Sequence, residues 1–133
     1  MSETFKIQKS DAEWRAALDP ELYRIARQQG TERAWSHAYN TEKRDGLYHC
    51  AACGAALFTA DAKFESGSGW PSFFQPIEGA VGETIDRSHG MVRVEAHCNS
   101  CGSHLGHIFP DGPRPTGQRY CMNGTSLQFE SKE

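Results

Sequence analysis

The sequence predicts a chain that is mainly β with short N-terminal helices, an α+β arrangement, on three observations. Two helix-start signals stand close together near the N-terminus, at Ser10-Asp11-Ala12-Glu13 and Asp19-Pro20. Beyond about residue 45, glycine and proline recur every few residues, and apolar residues alternate or come in short runs. Five cysteines fall as two Cys-x-x-Cys-Gly pairs and one apart, a layout that suits a metal staple better than a disulfide framework.

The elements follow in order. Ser10 and Glu13 form a capping box, each side chain serving an orphan amide, and Trp14, Ala17 and Leu18 are expected on one face of a helix ending near Leu18. Asp19 caps a second helix with Pro20 at its first turn, Leu22, Ile25 and Ala26 as its apolar stripe, and Gly30 as its stop. The helical segment thus covers about 10–30 and the β body about 45–130, in one domain of 1–133. Strands are predicted at 46–50, 55–59, 72–77, 81–86, 91–97, 104–109, 118–122 and 126–130. The clearest is 91–97, where Val92, Val94 and Ala96 face one way and Arg93 and Glu95 the other.

Composition bounds the function. With 133 residues, 38% hydrophobic and 23% charged, the chain has the length and make-up of one globular domain. A domain of this size buries roughly two-thirds of the surface that its unfolded chain exposes, a modest margin for a chain with 13 Gly and 6 Pro. The formal charge of −3 and the scattered basic residues give no basic band for a phosphate backbone, so nucleic acid is not an expected partner. No apolar run reaches the roughly 18–20 residues of a membrane span, and residues 1–10 lack the apolar stretch of a secretion signal. The expectation is a soluble, cytoplasmic monomer.

The paired cysteines are Cys50, Cys53, Cys98 and Cys101, each pair followed by glycine at Gly54 and Gly102. Glycine there allows a turn at positive φ, with its amides directed back at the sulfurs, as a zinc knuckle requires. Two knuckles separated by residues 54–97 close one tetrahedral site of four thiolates, filled by protein and therefore structural. The competing reading, a thioredoxin-like redox pair, calls for a βαβ pattern that the chain lacks. His49 and His97 each precede a pair, but four thiolates complete the zinc shell and leave them as strand-end histidines.

Cys121 then stands alone, in Gln118-Arg119-Tyr120-Cys121-Met122-Asn123. A lone cysteine is commonly a small buried hydrophobe. Here Arg119 lies two residues away, so a strand would project Arg119, Cys121 and Asn123 from one face, with a cation beside the sulfur to favour the thiolate nucleophile. Upstream, His104 and His107 would point apart on a regular strand. A bend at Gly106 would bring both to one site as proton donor and water-positioning group. Their alternative is a pair of exposed loop histidines. Ser66-Gly67-Ser68-Gly69-Trp70-Pro71 is a tight turn presenting Trp70, for which the alternative is a core position.

Taken together, the two Cys-x-x-Cys-Gly pairs, Gly69-Trp70-Pro71-Ser72-Phe73, His104-Leu105-Gly106-His107 and Arg119-Tyr120-Cys121-Met122-Asn123 resemble the methionine sulfoxide reductase B (MsrB) family over about residues 10–130. The resemblance implies a β-tent of two antiparallel sheets with one structural zinc ion opposite the active site. It implies reduction of the R epimer of methionine sulfoxide, mainly in oxidised proteins and peptides. On the matching positions, Cys121 is the nucleophile, Arg119 helps to ionise it, and His104, His107 and Asn123 bind and protonate the sulfoxide oxygen. Trp70, with Phe109, forms the apolar box for the substrate's ε-methyl. The chemistry is coherent, since sulfoxide oxygen leaves only once protonated and attack turns the thiolate into sulfenic acid. One position departs from the pattern. Many members carry a resolving cysteine just before Gly-Trp-Pro-Ser-Phe, where this chain has Ser68. Recycling is therefore expected to come from an external thiol such as thioredoxin or glutathione with glutaredoxin, without an internal disulfide.

Overall fold

A computed structural model describes residues 5–132; the ends of the 1–133 domain expectation, at 1–4 and 133, lie outside it. Helix α1 spans Asp11–Ala17 and α2 spans Pro20–Ala26. Nine strands follow among the described residues: β1 Gly46–Cys50, β2 Ala56–Thr59, β3 Lys63–Phe64, β4 Ser72–Phe73, β5 Val81–Asp86, β6 Arg93–Cys98, β7 His104–Phe109, β8 Arg119–Met122 and β9 Leu127–Ser131. They form two antiparallel sheets, one ordered β2-β1-β9 and the other β3-β4-β8-β7-β6-β5. The mainly β class with two short helices is as the sequence predicts. Among the described residues no helix is long and apolar enough to cross a membrane.

The helices start where their caps dictate. Ser10 and Glu13 form the complete capping box, and the Asp19 carboxylate accepts from the amides of Glu21 and Leu22. Of the first helix's expected stripe only Trp14 is buried, with Leu18 partly covered and Ala17 exposed, because two turns present just one residue squarely inward. Trp14 packs under the guanidinium of Arg27, 4.6 Å from its ring centroid. The second helix stops at Ala26, short of Gly30. Gln29, at φ 57, takes the left-handed position expected of the glycine, while the Gly30 amide reaches back to Arg24 O at 3.0 Å.

Two strand expectations need correction, and one strand was not expected. The segment 72–77 pairs only at Ser72–Phe73; the Phe74 amide already leaves the sheet for Ala62 O, and Pro76 has no amide to donate. The two-residue β3, unsignalled in the sequence, extends that sheet at its edge. The strand expected at 91–97 runs from Arg93 to Cys98, and its polar face is not a solvent face: Glu95 is buried. A stacked pair, Phe58 and Phe73 with centroids 4.2 Å apart, joins the sheets, flanked by Tyr48, Leu57, Leu105 and Met122.

The pairing of β7 with β8 positions the site. Gly106 opposes Met122 and His107 opposes Cys121. A Cβ on Gly106 would lie 2.0 Å from Cys121 O, so the strands meet this closely only with glycine here. Replacing Gly106 with Ala is expected to cost at least the roughly 1–3 kcal/mol typical of overpacking and to part His107 from Cys121. Urea denaturation and activity of Gly106→Ala check this, both being expected to fall.

Candidate active site

The bend expected at Gly106 takes the form of a register shift. Between Ala96 and His97 the pairing of β6 with β7 slips, so His97 opposes His104 while Ala96 opposes Gly106. One extra residue in β7 turns His104 to the face of His107, and the two rings meet edge-on with centroids 5.3 Å apart. Each ring is held by a carboxylate. His104 Nδ1 lies 2.6 Å from Glu95 Oε2, and His107 Nε2 lies 2.8 Å from Asp86 Oδ2. The Ser88 hydroxyl and amide, followed by His107, hold the Asp86 carboxyl well below its usual range. An ionised carboxylate only accepts, so Asp86 fixes the His107 proton on Nε2 and leaves Nδ1 as the acceptor.

The two histidines are not equivalent. His107 lines a cavity of about 270 Å³ with Thr31, Ser68, Trp70, Phe109, Arg119 and Cys121. His104 is buried behind it, outside that lining, and its Nε2 has no hydrogen-bond partner among the described residues. Neither is an exposed loop histidine. Burial holds the His107 imidazole below its ordinary value against the opposing pull of Asp86.

Cys121 faces the cavity and is partly buried. Burial pushes its thiol up, and the Ser68 hydroxyl and the Arg119 charge only partly offset this. Enclosure therefore opposes the thiolate that the sequence suggested. Arg119 is shared: its guanidinium pairs with Asp111 at 2.9 Å and lies 4.4 Å from the Phe109 ring centroid. Ser68 Oγ is 3.9 Å from Cys121 Sγ and ends a chain of hydroxyls through Ser66, 2.7 Å away, to buried Ser72.

Asn123 borders the cavity, but its side chain is largely committed. Its Oδ1 accepts from the Glu32 amide at 2.9 Å and its Nδ2 donates to Leu105 O at 3.1 Å. Glu32 itself escaped the sequence reading, because nothing periodic marks the segment 31–37. This carboxylate is 4% exposed and accepts from the amides of Gly124 and Thr125 and from the Thr125 hydroxyl, while Glu32 O accepts from Trp70 Nε1 at 3.0 Å. One residue thus ties the indole wall to the turn after Cys121. Glu95 and Arg93 were visible as the polar face of β6, but alternation alone does not say that such a face looks into a site.

The cysteine pairs form a second centre. Sγ of Cys50 lies 3.8 Å from that of Cys101, Sγ of Cys53 lies 3.7 Å from that of Cys98, and all four are within 4.8 Å of one another. A tetrahedral ion with metal–sulfur bonds of about 2.3 Å has sulfur–sulfur edges of about 3.8 Å, so these four fit a metal ion as they stand. Gly54 and Gly102 have φ 85 and 78, as the knuckles require. Their amides, however, close the turns onto Cys50 O and Cys98 O; the amides directed at sulfur are those of Ala55, Cys101 and Ser103. Arg27 adds a bond to Cys101 O at 2.9 Å. His49 bonds Gly54 O and Glu130, and His97 bonds Thr84, so both stand outside the four-sulfur shell. β6 links the two centres, running from Arg93 on the cavity wall to Cys98 in the cluster.

Comparison with known proteins agrees with this geometry. The SelR domain family matches residues 18–131, which carry both centres. The chain belongs to the SelR (MsrB) family. Among MsrB relatives, the peptide methionine sulfoxide reductase MsrB of Thiobacillus denitrificans is 59% identical over 126 residues, 94% of this chain and 96% of that protein. The proteins of the same name from Methylibium petroleiphilum and Leptospira interrogans are 54% and 55% identical over 129 residues, 96% of this chain and 94% and 98% of theirs.

Two outcomes follow. If the four sulfurs hold one metal ion per chain, Cys98→Ser is expected to lose that ion and most of the stability, since a structural thiolate site contributes on the order of 10 kcal/mol; elemental analysis and thermal unfolding check both. Alkylation of Cys121 by iodoacetamide, followed by peptide mass, is expected to rise with pH through a midpoint above that of an ordinary cysteine. Arg119→Met, by removing the cation that favours the thiolate, moves that midpoint higher still.

Proposed function

We propose that this chain is an oxidoreductase that reduces the R epimer of methionine sulfoxide in proteins and peptides, with Cys121 as nucleophile. The observation that carries the proposal is the pairing of Cys121 with His107 across β7 and β8, inside a cavity walled by Trp70 and Phe109. Residues directly opposed in antiparallel strands project from the same face with Cβ atoms about 5 Å apart, room for one sulfoxide group between sulfur and imidazole.

Burial opposes both the thiolate and the imidazolium, so the proton leaves Cys121 only as the sulfoxide oxygen takes it up. His107 Nδ1 takes the Cys121 proton and gives it to the sulfoxide oxygen as the thiolate attacks the sulfoxide sulfur. The attack joins the Cys121 sulfur to the sulfoxide sulfur as the protonated oxygen leaves as water; water then adds to the Cys121 sulfur, returns the proton borrowed for that departure and breaks the sulfur–sulfur bond to release methionine, so Cys121-SH plus sulfoxide gives Cys121-SOH plus thioether. His104, bound to Glu95 behind the cavity, buttresses the His107 ring. Asn123, anchored to Glu32 and Leu105, shapes the turn and borders the oxygen site. Arg119 stabilises the developing thiolate. Selection of the R epimer follows from the apolar wall for the methyl and the polar side for the oxygen. The other epimer exchanges the two and leaves a buried donor unpaired at about 1–3 kcal/mol.

Zinc is the metal that suits four thiolates in a tetrahedron, and it would be held by Cys50, Cys53, Cys98 and Cys101. It supplies a structural clamp between the two sheets and leaves the chemistry to Cys121. With those four sulfurs gathered in one cluster and Ser68 beside Cys121, an external thiol such as thioredoxin or glutathione with glutaredoxin reduces the sulfenic acid. The first thiol forms a mixed disulfide and releases water, and the second restores Cys121. A monomer in the cytoplasm, where such thiols abound, fits this cycle.

Separate R and S epimers of a peptidyl methionine sulfoxide, supplied with a dithiol, test the proposal. Reduction of R alone, abolished in Cys121→Ser and slowed about 10²–10⁴-fold in His107→Asn, is expected. Reduction of S, or full activity of Cys121→Ser, would overturn it. Mass spectrometry after one turnover without thiol should find Cys121 as sulfenic acid with no internal disulfide. In Ser68→Cys a disulfide to Cys121 is expected, given the 3.9 Å between Oγ and Sγ.

A further inference from the structure

Trp35 is 68% exposed, among the most exposed large apolar side chains described. It also carries φ 64, a left-handed conformation that bulky residues rarely hold. Two hydrogen bonds tie the segment 32–35 to the cavity turn. The Trp35 amide donates to Gly69 O at 2.6 Å, and from the other side Trp70 Nε1 donates to Glu32 O at 3.0 Å. The contact is close: a Cβ on Gly69 would lie 2.9 Å from Trp35 Nε1 and 2.8 Å from the Ala34 Cβ. Trp35 therefore rests against Gly69, between Ser68 and Trp70 of the cavity wall, with most of its indole turned to solvent. Core packing does not account for an aromatic ring held out in this way.

The cavity itself says what kind of molecule carries the sulfoxide. Its lining is neutral or basic, with Arg93 and Arg119 as its charged members. The aspartates nearest to them, Asp86 and Asp111, are already bound to those guanidiniums. The α-ammonium of a free amino acid meets no spare carboxylate there, whereas a residue within a chain presents neutral amides.

We propose that Trp35 is a specificity-determining residue that binds an apolar side chain next to the methionine sulfoxide of an extended polypeptide. The inference rests on the reductase reading and deepens it. The sulfoxide side chain enters between Trp70 and His107, and the neighbouring residue lies over the exposed indole beside Gly69. Burying an aliphatic side chain against this ring is worth about tenfold in kcat/KM, on the scale of 1.4 kcal/mol per decade.

Three substrates bearing the R sulfoxide test the proposal, each with dithiol as reductant. They are N-acetyl-methionine sulfoxide methylamide, a pentapeptide with leucine on both sides of the sulfoxide, and the same peptide with serine instead. The readout is the ratio of kcat/KM for the leucine peptide to that for each of the others. About tenfold is expected for the wild type, expressed mainly in KM. Trp35→Asn, which suits the left-handed backbone and removes the ring, should bring both ratios near one, and Trp35→Phe should keep most of the preference. Ratios that stay the same in Trp35→Asn, including the case in which activity on all three falls equally, would overturn the proposal. So would a wild type that does not distinguish the peptides. If the wild type reduces none of the three, the reductase reading itself fails, which separates the two results.

Discussion

Everything at this site depends on how closely two strands approach at one glycine. β7 and β8 come together at Gly106 with no space for a side chain, and that contact sets His107 opposite Cys121. The rest of the fold serves that alignment. β6 contributes Glu95 behind His104, β5 contributes Asp86 to His107, and β4 pairs Ser72 with Cys121 on the other side. Three neighbouring strands each place a polar group on the same face, so the sheet is apolar where it meets the aromatic core and polar where it meets the cavity.

The electrostatics follow from this partial enclosure. Burial disfavours both the thiolate of Cys121 and the imidazolium of His107, so the enclosure opposes separating charge between them. Arg119 tempers the cost of forming the thiolate, while its own charge is engaged by Asp111 and the face of Phe109.

Much of this was legible in the sequence, for identifiable reasons. Strands β1, β5 and β7 have the predicted limits because glycine, proline or a polar turn punctuates both ends. The cysteine cluster follows from spacing, since ligands to one ion must converge. What the sequence did not disclose depends on tertiary contact. The slip between β6 and β7 is a property of two strands together, and the burial of Glu95 reflects what lies over β6. Glu32 sits in an aperiodic segment and gains its role only when that segment folds against Gly124 and Thr125. The expectation of a preformed thiolate weighed the nearby arginine but not the enclosure that opposes it.

In the proposed cycle the hydroxyl of Ser68, within reach of Cys121 but unable to bond to it covalently, would set the order of events after each turnover. An oxidised Cys121 would then persist until a thiol arrives from solution. Peroxide and thiol then compete for the same atom, and a second oxidation to sulfinic acid would end the cycle for that molecule. The ratio of reductant to oxidant around the protein therefore decides how many times each copy acts, and the enzyme's working life is set by its surroundings as much as by its own fold.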